Sequence, residues 1–358
     1  MSEAAAISTT AAIERSIPRP GVGPLSGLGR ADSGPTRPAD SPTAATATRK
    51  PPRSSVRSTN VGDRIFNALT TGFAASIVGI LLIMFGVLVW QGRFSIQAHG
   101  LSFITGLTWD PSLLHLYGAT PSILGTLYTS ALALLLAAPV GLMLAVFLSE
   151  IAPRRMRFPF GFMVELLAAV PSIVYGLWGL FVLVPFVRDY IEPFFQSHFG
   201  SIALFQGPPI GIGILSAVLI LAIMILPTVA AISRDVMQAV PDSQRDAMLA
   251  LGATRWETTW KVVVPAARSG IIGAIILGLG RAVGETMAVQ MVIGNSLSQF
   301  NVSLFGFGTT LPATIVNQFQ EATGAMYRSA LIELALILML VTVTLNIIAR
   351  TLVWRVSR

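Results

Sequence analysis

The stretch Gly270–Ile293, GIIGAIILGLGRAVGETMAVQMVI, decides how the rest of the chain is read. Outside its middle it is a run of Ile, Leu, Val, Gly, Ala and Met long enough to cross a bilayer as one helix. The middle, GLGRAVGETMAV at residues 278–289, sets Arg281 and Glu285 four residues apart. A charge at the bilayer centre costs roughly 2.5–3.5 kcal/mol on insertion scales, so both side chains must face protein or water. Helical spacing predicts them on one face, one turn apart. Gly280, Gly284 and Ala288 are predicted to form a small-residue line beside them, where another helix packs closely. The span reads as one wall of a helix-lined path with a charged pair set in it. An architectural ion pair that touches no substrate is the competing reading, and the residues alone leave both standing.

Composition bounds what such a span belongs to. The chain has 358 residues, 53% hydrophobic and 11% charged, with a mean hydropathy of +0.71. Soluble domains carry about 25% charged residues, so this is an all-α polytopic membrane protein whose main partner is the lipid bilayer. The absence of cysteine excludes a disulfide frame, a thiol nucleophile and thiolate metal sites. His99, His115 and His198 lie between spans without metal-ligand spacing, so neither metal nor cofactor is expected. The same absence of a nucleophile with a base inside the spans argues against an intramembrane hydrolase.

Hydropathy predicts six spans, at about 65–90, 124–148, 160–187, 210–232, 270–293 and 330–348. Basic residues cluster in alternate loops: Arg154, Arg155 and Arg157 after the second span, then Arg234, Arg245, Arg255, Lys261 and Arg268 after the fourth. Arg350, Arg355 and Arg358 close the chain. The other loops hold few, so the positive-inside rule places both termini in the cytoplasm. The net charge of +7 is therefore a topology signal and calls for no nucleic-acid partner. Residues 1–60 are rich in Ala, Ser, Thr, Pro and Arg without periodicity, and are expected to be a disordered basic cytoplasmic tail preceding a membrane domain at 61–358. Glu150, at the end of the second span, is expected to pair within the Arg154, Arg155 and Arg157 cluster. Glu165 and Glu333 are expected near span ends, where polar surroundings lie within reach.

The loop 241–267, PDSQRDAMLALGATRWETTWKVVVPAA, carries two helix starts. Ser243 with Asp246 has the form of a helix cap, and Gly252 suits a helix end. Thr254 followed by Glu257 fits a capping box opening a second short helix. Trp256, Trp260 and Val263 give that helix an apolar stripe, and Pro265 is expected to stop it. This describes either a rigid docking knob or an amphipathic loop on the membrane surface, and physics alone does not choose between them.

The loop resembles the signature of ABC-importer permeases: an E-A-A triplet, three residues, Gly, nine residues, then I-x-L-P. Asp246, Ala247 and Met248 align with the triplet, Gly252 with the glycine, and Val262, Val264 and Pro265 with the end. Asp replaces Glu, Met the second Ala, and Val both Ile and Leu. GLGRAVGETMAVQMVIGN at 278–295 with AAVPSIVYGLWGL at 168–180 is similar to the C-type permease subunits of bacterial high-affinity phosphate importers. The resemblance covers roughly residues 62–356. It implies a six-span type I importer permease fold in the inner membrane. It also implies a heterodimer with a sister A-type permease, two ATP-binding subunits on the cytoplasmic side, and an external phosphate-binding protein. Asp246, Ala247, Met248, Gly252 and Pro265 would then form the element that couples to the ATPase.

No G-x-x-x-x-G-K-[ST] stretch occurs, so nucleotide chemistry belongs to another chain and this one is not an enzyme. Arg281 is the natural contact for a divalent oxyanion, since its planar fork matches two phosphate oxygens. Glu285 would partner it in the empty path and accept a hydrogen bond from protonated phosphate. A permease for sulfate, molybdate or phosphonate is the alternative of the same class, and a sensing subunit that does not transport is a further one.

Overall fold

A computed structural model describes residues 61–111, 115–297 and 300–357; the tail expected over residues 1–60 lies outside them. Among the described residues, six helices are long and apolar enough to cross a membrane. In chain order the helices are α1 (Val61–His99), α2 (Thr120–Ile151), α3 (Arg154–Ala169), α4 (Ser172–Phe199), α5 (Ile214–Gln238), α6 (Asp242–Ala250), α7 (Arg255–Gly284), α8 (Met287–Val292), α9 (Leu311–Phe319) and α10 (Ala325–Ser357). A two-residue hairpin, β1 (Trp109–Asp110) against β2 (Leu116–Tyr117), is antiparallel with Trp109 opposite Tyr117.

Helix α5 is the post around which the others stand. Ile214, Ala217, Ile220, Leu221, Met224, Ile225 and Val229 are all buried. Small residues let α2 approach it. Gly125, Thr129, Ala133, Ala137, Gly141 and Ala145 recur every fourth position and are all buried on α2, one stripe of a 3.6-residue helix. A Cβ on Gly141 would meet the Val229 side chain at 3.1 Å. Helix α7 offers a matching stripe, Gly270, Ala274, Gly278 and Ala282, and a Cβ on Gly278 would stand 2.9 Å from Val229. Without a hydrophobic drive between helices in lipid, such close backbone approach is what holds spans together.

Two expected spans are drawn differently. The third is not continuous over 160–187. It breaks at Val170–Pro171, both in extended conformation, into α3 and α4. Proline disfavours helical backbone in the residue before it and has no N–H to continue the ladder. The long apolar segment is α4, Ser172–Phe199. Its two π-helical turns, Gly179–Leu183 and Val187–Ile191, flank Pro185 and accommodate it within the helix. The first span runs nine residues past Trp90 to His99, with the Arg93 guanidinium 4.9 Å from the Trp90 ring and 4.8 Å from the Phe94 ring.

Acid positions also shift. Among the described side chains, Glu150 forms no ion pair with Arg155 or Arg157 of the cluster that follows it. Its carboxylate binds Arg245 of α6 at 3.0 Å, because the end of α2 packs at Ala145 and Val146 against Met237 and Val240, from which α6 continues. Glu333 is buried rather than at a polar rim: it sits where Gly92 of α1 meets α10, and its Oε2 has no hydrogen-bond partner. Ser329 joins the same helices, donating to the Gln91 carbonyl at 3.0 Å and accepting from the Ser95 amide at 3.1 Å.

Candidate functional site

The apolar run of the fifth span folds as two helices. α7 ends at Gly284, Glu285 is extended with φ −70° and ψ 128°, and α8 begins at Met287. The expected pairing of Arg281 with Glu285 on one helical face is thereby lost, because Glu285 has left the helix. Among the described residues the two form no ion pair. Glu285 instead turns forward, its Oε1 accepting from the Ala288 amide at 3.3 Å and so satisfying one free N–H of α8. Arg281 sits in the last turn of α7, where the helix dipole favours a cation. Its Nη1 donates to Thr228 Oγ1 of α5 at 3.4 Å, and its charge acts on the Tyr175 phenol of α4.

The small-residue line also divides. Ala288 is fully buried against α4, where a Cβ on Gly176 would lie 3.0 Å from the Ala288 Cα. Gly280 and Gly284 have nothing within 4 Å of where a Cβ would stand; Gly284 is exposed, whereas Gly280 is half-buried beside a narrow crevice against Thr342, Leu345 and Asn346 of α10. Packing inside the chain uses the Gly270, Ala274, Gly278 and Ala282 stripe instead. Its G-x-x-x-A-x-x-x-G-x-x-x-A spacing is a signal in the sequence, two residues out of phase with the expected line. The result is a guanidinium and a carboxylate at the gap between two helix ends, bordered on one side by the exposed Gly284. Breaks of this kind at membrane depth expose main-chain ends to a cavity and are where transporters bind ions.

The second region is the knob at 241–267. α6 runs Asp242–Ala250 with none of its residues buried, and no side chain caps its start: the capping position is Pro241, not Ser243. Gly252 ends the turn with φ +85°, a left-handed conformation that glycine adopts without penalty. The capping box is complete. Thr254 Oγ1 accepts from the Glu257 amide at 3.3 Å, and Glu257 Oε2 accepts from the Thr254 amide at 2.9 Å. Thr254→Ala removes the hydroxyl's bonds with the Glu257 amide and Glu257 Oε2 while keeping the one from its own amide, and should cost about 1 kcal/mol, read as faster amide exchange across residues 255–258.

Pro265 does not stop the helix it follows. A π-helical turn at Thr259–Val263 absorbs the missing N–H, and Pro265 falls in the first turn of the α-helical segment that continues to Gly284. The second arm of the knob and the fifth span are therefore one helix. Asp246, Ala247 and Gly252 are exposed, and Met248 is half-buried. At the tip, Leu251 is 83% and Trp256 is 61% exposed, an apolar surface too prominent for a free loop.

Residues 137–358 match the model of the family described as binding-protein-dependent transport system inner membrane component. This chain belongs to that family. Among its relatives, the phosphate transport system permease protein PstC of Xylella fastidiosa is 47% identical over 300 residues, 83% of this chain and 92% of that one. PstC of Mesorhizobium japonicum is 44% identical over 319 residues, 88% of this chain and 97% of that one. A probable PstC of Methanocaldococcus jannaschii is 37% identical over 281 residues, 77% of this chain and 89% of that one. The permease is accordingly a multi-pass inner-membrane subunit of a phosphate ABC importer. It is a transport subunit and not itself an enzyme.

Proposed function

We propose that Arg281 and Glu285 line the phosphate path of this permease and that the knob at 241–267 couples it to an ATPase. The observation that carries the first part is the break in the fifth span. It leaves a guanidinium near the exposed Gly284, in a segment where an ionisable side chain needs a polar partner. Phosphate binds the Arg281 fork through two oxygens. Glu285 Oε1 holds the start of α8, while Oε2 accepts the hydrogen bond of a monohydrogen phosphate, which sulfate cannot offer. In the empty path the cation rests on Thr228 rather than on Glu285.

The exposed backbone at Gly284, with no atom of this chain within 4 Å of an added Cβ, supports a seam with a sister A-type permease, so that the path runs between two subunits. Exposed Leu251 and Trp256, with Asp246, Ala247, Met248, Gly252 and Pro265 in the importer spacing, support docking of an ATP-binding subunit on the knob. An external phosphate-binding protein delivers substrate on the opposite side. Basic residues on the knob, at 154–157 and at the end of the chain support a cytoplasmic position for both termini.

The assembled importer in proteoliposomes tests the assignment. ATP-driven uptake of labelled phosphate should resist a hundredfold excess of sulfate or molybdate. Equal competition by either anion would replace phosphate with a broader oxyanion class. Because the chain has no cysteine, Gly284→Cys supplies a single thiol. Its cross-linking to a cysteine scan of the sister subunit should succeed on the seam, and failure throughout would remove Gly284 from it.

A further inference from the structure

The Arg245 guanidinium is the most heavily engaged cation among the described residues. Nη2 donates to Glu150 Oε1 at 3.0 Å and Nε to Glu150 Oε2 at 3.3 Å, a two-point fork across 95 residues of sequence. Nη1 donates to Asp242 Oδ1 at 3.0 Å and to the Val240 carbonyl, and Nη2 also to the Met237 carbonyl at 2.8 Å. One side chain thus ties α6 to the end of α5 and to the last turn of α2. The Arg245 and Glu150 side chains are 16% and 13% exposed, so solvent screens the fork little.

Covalent continuity already joins the knob to two spans: α6 follows α5 directly, and α7 is itself the knob's second arm. α2 has no such connection. Its end meets the knob region through an apolar cluster of Ala145, Val146, Met237, Val240, Val263 and Ala267, and through the Glu150 fork. Close apolar packing holds these ends together without fixing a direction, and a two-point fork adds a set distance and angle to it. Arg157 reinforces the joint, its Nε donating to the Ala152 carbonyl at 2.9 Å and Nη2 to the Glu150 carbonyl at 3.4 Å.

We infer that Glu150 and Arg245 are a positioning pair that makes α2 travel with the knob, so that ATP-driven movement reaches three spans instead of two. This rests on the knob being the ATPase-coupling element. Glu150→Ala cuts the link to α2 and leaves the other Arg245 bonds in place, so it isolates the effect. In the assembled importer, phosphate uptake and ATP hydrolysis are measured together. The expected result is a fall of about fivefold or more in phosphate moved per ATP hydrolysed, with hydrolysis itself nearly unchanged. Glu150→Asp, which keeps the charge, should recover part of the ratio. A proportional fall in uptake and hydrolysis, or an unchanged ratio, overturns the inference.

A second measurement covers poor assembly. Glu150→Cys with Arg245→Cys in this cysteine-free chain accepts a short thiol-reactive bridge, and bridging should raise the ratio above that of the unbridged double variant. A bridged, assembled complex with no gain also overturns it. Failure of the underlying reading looks different: Leu251→Asp at the knob tip would then leave both uptake and hydrolysis unaffected.

Discussion

Arg281→Gln is expected to abolish measurable phosphate uptake while the importer assembles at its normal level. The guanidinium is the only charged donor at the break in the fifth span among the described residues. Each charge-assisted hydrogen bond lost to a dianion is worth about 1.5–3 kcal/mol, so losing a two-point contact lowers transport by roughly a hundredfold or more. Labelled phosphate uptake in proteoliposomes is the measurement, with subunit stoichiometry checked by purification. Arg281→Lys keeps the charge and loses the fork, and should retain a small fraction of activity. If Gln and Lys variants assemble and transport normally, Arg281 is architectural. Thr228→Val separates the two roles further: it removes the resting partner of the guanidinium and should change the apparent affinity for phosphate more than the maximal rate.

The second large effect is on folding. Gly125→Leu should prevent stable accumulation of the permease in the membrane. A Cβ at Gly125 would overlap the Thr309 carbonyl oxygen, which is backbone and has nowhere to move. The next residue, Thr126, accepts the Leu311 amide at 2.8 Å, and Ser122 and Thr309 both share hydrogen bonds with Thr314. Pushing α2 away from the 309–314 segment breaks the Thr126–Leu311 and Ser122–Thr314 bonds inside a buried layer. Overpacking in a filled core costs about 1–3 kcal/mol even where neighbours yield, and here the neighbour is main chain. The measurement is the amount of monodisperse protein extracted from membranes. Gly284→Leu is the matched control, since Gly284 is exposed and nothing in this chain lies within 4 Å of an added Cβ. It should accumulate normally, and any loss of uptake in that variant reports on a partner subunit.

Much of the architecture is legible in hydropathy because a bilayer admits so few solutions. The number of long apolar helices, the glycine turn at Gly252 and the Thr254–Glu257 capping box all follow from local rules, and the structure agrees with each. What local rules misplace is the behaviour of special residues inside apolar runs. Pro171 lies at a break, with Val170 before it in extended conformation, whereas Pro265 follows a π-helical turn and the helix continues through it. Gly284-Glu285-Thr286 is a stop followed by a start, yet the flanking Ile, Leu and Val make it read as one uninterrupted helix with an i,i+4 ion pair. The partner of Glu150 lies 95 residues away. No spacing rule reaches that far, so the nearer arginines were the natural expectation.

The continuity of α7 past Pro265 has a mechanical consequence. Thirty residues from Arg255 to Gly284 at about 1.5 Å each make a rod roughly 45 Å long. A lever of that length pivoting near its middle converts about ten degrees of tilt into ~4 Å of travel at each tip, by the same geometry. That is enough to make or break a contact as short as a hydrogen bond. On the proposed assignment, a push applied at Trp256 would arrive at Arg281 as displacement rather than being dissipated in a hinge, and a nucleotide site on a different chain would time the hold on the anion.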